Sequence, residues 1–281
     1  MPLLIELKPV RLSDFSEYVE VLAAIHDDDL DIVLVGGHAV SVYARKYHDQ
    51  CPQLDSFFPF LSKDADWLGT IDLGMRLAAK LSAEWKKNPT KGGMRGLSLG
   101  SISLPNHPDV RIEILGQILG PTTDEIRKTA YVEAYDNFRF KIINPFLLYE
   151  AKAHNLVQIP QVRESGNRQD GKQFQIMGLV LEQTLRELSE LPGSERALVK
   201  ASNRLINFWL QPVGTVLIRA GISTPQQILP LEAMRSHSSE SIRNLANIGF
   251  QHFQSELQRK LPQISEETLM RLQMEARAGK R

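Results

Sequence analysis

Apolar positions first fall into a clear period at Phe15, Tyr18, Val19, Leu22 and Ala23, whose three- and four-residue spacing predicts an amphipathic helix over residues 14–25. Acidic Asp27, Asp28 and Asp29 close it. The pattern then changes to a short, unbroken β-branched run at 31–35, which reads as a buried strand ended by Gly36 and Gly37. A helix over 38–47 follows. Residues 48–61 combine two prolines, clustered aromatics and Asp55, and suit a loop or surface insertion. Residues 63–67 alternate, so on a strand Asp64 and Asp66 point to the same side.

Further along, Leu73, Leu77 and Leu81 form the ridge of a helix predicted over 71–85, and residues 86–96 read as a basic loop containing Lys86, Lys87, Lys91 and Arg95. Segments 97–104 and 110–115 alternate on either side of Pro105, Asn106, His107 and Pro108, a turn signal that predicts a hairpin. Another strand is predicted over 139–143. Asn144 and Pro145 then open a helix running to about Leu156, as N-cap and first helical residue. From Arg168 onward the period is helical: 168–191, 194–209, 229–248 and 250–261; residues 266–281 are polar and end basic, and the last few are expected to fray. The expected fold class is therefore α+β: a small mixed sheet with flanking helices over 1–143, followed by an all-helical domain over 144–281.

Composition narrows the class. Of 281 residues, 42% are hydrophobic and 23% charged, the balance of an ordinary globular chain. The formal net charge is zero, which argues against a strongly basic nucleic-acid-binding domain while leaving room for a local basic groove. Cys51 is the only cysteine, and no Cys/His spacing suits zinc. With neither a secretory signal nor an apolar run of membrane length, the expected location is the cytoplasm, with no membrane partner.

The chemistry-bearing residues are Asp64, Asp66 and Glu113. Two carboxylates on alternate residues of one strand, with a third from a neighbouring strand, supply the hard oxygen ligands that Mg2+ requires. Glu113 lies between Ile112 and Ile114 and would share a face with Arg111 and Leu115. The alternative for Glu113 is a solvent-facing side chain paired with Arg111. Gly36 and Gly37 would let backbone N–H groups at a helix N-terminus approach phosphate, where the dipole favours negative charge; an ordinary tight turn is the alternative. His38 opens that helix and could touch phosphate or base, or simply cap and pack.

The order Val33-Leu-Val-Gly-Gly-His-Ala39, Ser62-Lys-Asp-Ala-Asp-Trp67 and Val110-Arg-Ile-Glu113 resembles the polymerase-β-type nucleotidyltransferase superfamily, and within it the AbiEii and MenT group of bacterial enzymes, several of which are toxins of toxin–antitoxin systems. The resemblance covers about residues 30–180. The spacing from Gly37 to Asp64 is longer than in the usual motif, and the third carboxylate is Glu where Asp is commoner.

By that resemblance, Asp64, Asp66 and Glu113 would hold Mg2+, with Mn2+ as an alternative, and an NTP would be the substrate. Gly36, Gly37, His38, Lys63 and Arg168 would contact the nucleotide. Lys152 would bind its triphosphate, and Asp170 would orient the nucleotide or the lysine; for Lys152 a solvated helix face is the alternative. The implied activity is transfer of an NMP group to an acceptor: a tRNA, a protein hydroxyl or a small molecule. An antitoxin is the implied partner. The competing expectation is a nucleotide-binding or partner-binding module that has lost turnover.

Overall fold

The computed structural model describes residues 12–88, 97–105, 110–159 and 169–278. Contacts divide them into two units, one formed by residues 12–42 and 59–144, the other by 43–58, 145–159 and 169–278. The aromatic segment near residue 50 thus joins the helical unit.

In the first unit, the 14–25 period becomes a 3-10 turn, Phe15–Tyr18, leading into α1, Val19–Asp27. Asp14 starts it through a capping box, accepting from the Ser16 amide while Glu17 accepts from the Asp14 amide. Strand β1, Val33–Val35, is followed directly by α2, Gly36–Tyr47. Strand β2 is Ala65–Leu68, and α3 is Ile71–Lys80 with Thr70 as N-cap. The helix expected to reach Trp85 ends early: Ser82 turns the backbone at φ +48, and Glu84–Lys87 forms β3.

The expected hairpin is present as β4, Ser98–Ser103, antiparallel to β5, Arg111–Leu115; residues 106–109 between them lie outside the described residues. Two elements escaped the period: α4, Thr123–Thr129, and β6, Tyr131–Tyr135, which pairs with β7, Phe138–Ile142, through a turn at Asp136. Both are short and mostly exposed, so their apolar pattern is thin.

Among the described residues the strands make one seven-stranded sheet in the order β3-β4-β5-β2-β1-β7-β6. The centre is mixed. β1 runs antiparallel to β2 and parallel to β7, whereas β2 runs parallel to β5. Ile32, Val33, Leu34, Trp67, Leu68, Ile112, Ile114 and Ile142 are buried along it. β3 gains its place through Trp85, whose indole lies over Gly74 of α3 and Gly100 of β4, where no side chain intervenes.

The second unit is helical: α5, Pro145–Gln158; α6, Asp170–Glu190; α7, Glu195–Trp209; α8, Pro212–Arg219; short turns α9, Pro225–Ile228, α10, Leu231–Arg235, and α11, Glu240–Asn244; α12, Phe250–Lys260; and α13, Glu266–Ala278. The single helix expected over 229–248 is broken around Ser236–Ser239 and ends in a π turn, Leu245–Gly249. In the core of this unit Tyr149 stacks on Phe174 and meets Phe208 edge-on, while buried Trp209 Nε1 donates to the Tyr149 hydroxyl at 3.5 Å. Arg204 of α7 clasps Glu150 of α5 through two 2.8 Å hydrogen bonds.

One expectation is corrected here. Residues 48–61 are not a surface insertion, because 3-10 turns His48–Gln50 and Pro52–Phe57 bury Cys51, Leu54 and Phe57. The polar C-terminal segment is helical as far as Ala278, and the last few residues, expected to fray, lie outside the described residues. α13 buries Leu272 and lies so close to α6 that a Cβ on Gly171 would come within 2.3 Å of the Glu275 carbonyl oxygen.

Candidate metal and phosphate site

β2 and β5 set the site through their parallel register, which places Asp66 beside Glu113. Asp64 lies at a bend immediately before β2, outside the strand, and its carboxylate still falls in with that of Asp66. One carboxylate oxygen from each of Asp64, Asp66 and Glu113 lies within 4.8 Å of the others. Oxygens on opposite sides of one ion with metal–oxygen distances of about 2.1–2.4 Å are about 4–5 Å apart, so the donor set fits a hard divalent cation such as Mg2+. All three carboxylates are half-buried.

Asp66 also faces β1, pairing with Val35. Gly36 follows, with φ +68, and a Cβ there would sit 2.0 Å from Asp66 Oδ2. The glycine therefore serves two geometrical needs: it allows the left-handed turn and leaves the volume that the carboxylate fills. Gly37 continues α2, its carbonyl accepting from the Ser41 hydroxyl at 3.2 Å. The N-terminus of α2 accordingly begins against Asp66, where its partial positive charge favours an anion.

Burial pushes the Glu113 carboxyl above the usual glutamate range, and the Asp64 charge adds to that; Arg111 and Lys63 act in the opposite direction. Arg111 reaches Glu113 at 2.5 Å. The expected pairing of these two neighbours exists, and it coexists with the carboxylate cluster. Lys63, nearly half-exposed, lies 3.8 Å from Asp64 on the rim, at ion-pair distance from a carboxylate.

His38 is corrected to a packing residue. Its ring is fully buried between Phe15 and Tyr18, with no surface to offer phosphate or base. Nε2 lies 3.3 Å from Ser13 Oγ, and Ser13 pairs with Ser62 through backbone bonds of 2.7 and 3.0 Å. His38 thus braces the segment that delivers Asp64. Tyr18 stands in the same group, bonding to Ser13 and donating to the Arg111 carbonyl. Burial, reinforced by the Asp64 charge, pushes its phenol up to about 12, so it remains a donor throughout the neutral range. Ser13 and Tyr18 carried no site signal in the sequence. The available clue was the Asp14–Glu17 capping box, which anchors the turn holding them.

Lys152 and Asp170 belong to the helical unit, on α5 and at the start of α6. Lys152 is only 5% exposed, which removes the solvated-face alternative. Asp170 is also buried and accepts from Asn155 Nδ2 at 3.4 Å, linking the two helices. Arg168 lies outside the described residues. Among the sequence-derived candidates, the first unit therefore brings together Asp64, Asp66, Glu113, Gly36 and Lys63, with Gly37 adjoining. No described helix is long and apolar enough to cross a membrane. Comparison with protein-family models and with curated proteins gives no match to this chain, so a functional reading rests on its residues and their geometry.

Proposed function

We propose that the chain is a Mg2+-dependent nucleotidyltransferase of the polymerase-β type, moving an NMP group from an NTP to an acceptor. The observation that carries this reading is the convergence of Asp64, Asp66 and Glu113 beside the N-terminus of a helix. In the proposed reaction an acceptor oxygen attacks the α-phosphorus, the bond to the bridging oxygen breaks, and pyrophosphate leaves. Bound Mg2+, or Mn2+, would supply charge neutralisation for the triphosphate and the leaving group. Asp64 and Asp66 would be its principal ligands, with Glu113 completing the set once released from Arg111. Backbone N–H groups at the start of α2 would orient phosphate oxygens. A tRNA end, a protein hydroxyl and a small molecule are the acceptor classes to test.

Incubation with labelled NTPs and Mg2+, alone and with total tRNA, tests the proposal. The expected result is label transfer and pyrophosphate release, both abolished by Asp64→Ala. Transfer unaffected by that substitution would remove the site assignment. A toxin role within this reading expects induced wild-type protein to slow bacterial growth and Asp66→Ala to relieve it.

The Arg111–Glu113 ion pair favours one second reading, a nucleotide-binding module without turnover, because a resident cation already neutralises the third carboxylate. That reading expects the wild-type protein to bind NTP without releasing pyrophosphate.

A further inference from the structure

The helical unit contains a cavity of about 640 Å³, within the size range of small-molecule sites. Phe57 and Phe174 supply an apolar wall, and Ser223 and Thr224 bring hydroxyls. Glu182 is the one carboxylate in the lining, which includes neither lysine nor arginine. Two of its glutamines have fixed orientations. Gln175 Nε2 donates to the Ala276 carbonyl, and Gln273 Nε2 donates to the Ala220 carbonyl at 3.1 Å. A carbonyl can only accept, so both amides are oriented with their nitrogens toward those carbonyls, and each keeps its oxygen as an acceptor beside one remaining N–H. Gln53 is arranged oppositely: its oxygen accepts from Cys51 Sγ at 3.2 Å, leaving its NH2 as a donor.

The cavity also depends on a glycine. Gly178 lies inside the 21-residue helix α6, where glycine costs about 1 kcal/mol relative to alanine. Local sterics do not demand it, since an added Cβ would meet only Ile228 Cδ1, at an ordinary 3.9 Å. What the missing side chain does is keep the cavity open.

From these features we infer that the cavity binds a phosphate-free, amino-substituted heterocycle of the nucleoside class. Its ring would lie on the aromatic wall, its N–H groups would meet the amide oxygens and Glu182, and its ring nitrogen would accept from Gln53. A phosphate would meet no lysine or arginine in the lining and would lie beside Glu182, whose Arg186 partner sits 3.0 Å away outside the lining, so it is disfavoured on charge. The inference does not rest on the transferase reading, whose site is in the other unit.

Calorimetric titration of the full chain with adenosine and with adenosine 5′-monophosphate tests it. Adenosine should bind one to one, with the monophosphate weaker by about tenfold or more, the scale of one adverse charged contact. Gly178→Leu should remove adenosine binding while the melting temperature holds or rises, and Asp64→Ala should leave binding unchanged. Glu182→Gln, which keeps the shape, should narrow the gap between the two ligands. Absence of adenosine binding at millimolar concentration, equal or tighter binding of the monophosphate, binding that survives Gly178→Leu, or loss with Asp64→Ala would each overturn the inference. Should Gly178→Leu fail to fold, an unchanged gap in Glu182→Gln would overturn it instead.

Discussion

Gly36 shows how much of the candidate site depends on a single missing side chain. Its left-handed backbone disfavours any Cβ by about 1–2 kcal/mol, and the Asp66 carboxylate already occupies the Cβ volume. Gly36→Ala is therefore expected to lower the melting temperature and to weaken Mg2+ binding by about tenfold or more, as thermal denaturation with and without Mg2+ would read. Glu113 carries a different dependence. Its carboxyl is raised in the folded state by burial and by Asp64, so it is neutral at low pH, and stability is lost as pH rises through that raised value. Ion binding has the opposite sign, because only the carboxylate ligates: affinity is full above the raised value and falls as pH drops through it. Glu113→Gln should thus stabilise the metal-free protein at neutral pH while reducing the stabilisation by Mg2+, which for a site at a hundred times its Kd is about 2.7 kcal/mol. Since Arg111 opposes the shift, Arg111→Ala should move the acidic limb of Mg2+ binding to higher pH.

Short elements owe their identity to what they touch. The Glu84–Lys87 segment is charged and would pass for the end of a helix, yet Trp85 anchors it as an edge strand over Gly74 and Gly100. A Cβ on Gly100 would lie 2.4 Å from the indole, so Gly100→Ala is expected to cost about 1–3 kcal/mol, relieved in part by Trp85→Leu; a double-mutant cycle in denaturant measures both. α13 is the corresponding case in the helical unit. Its composition is polar, yet Leu272 is fully buried, and Leu272→Ala should cost about 2–5 kcal/mol. An unchanged denaturation midpoint would show that α13 contributes no packing.

Across the whole molecule, the candidate metal site and the cavity lie in separate units, each with its own core. Their ligands should accordingly leave separate footprints. In hydrogen exchange, Mg2+ is expected to slow amides of β1, the start of α2, β2 and β5, whereas adenosine should slow α6 and the 223–228 segment. A Mg2+ footprint centred on α6 would contradict the assignment of Asp64, Asp66 and Glu113.

The sequence alone determined what depends on neighbours along the chain. The 97–104 and 110–115 runs predicted a hairpin, and Pro145 marked the start of α5. These signals survive because backbone geometry sets them within a few residues. Tertiary structure decided the rest. The β2–β5 register brought Glu113 to Asp66, burial between Phe15 and Tyr18 turned His38 from a ligand candidate into a brace, and contact with Trp85 or α6 ordered segments whose own pattern is polar. Each outcome rests on desolvation and steric fit between residues distant in sequence, to which local periodicity is blind.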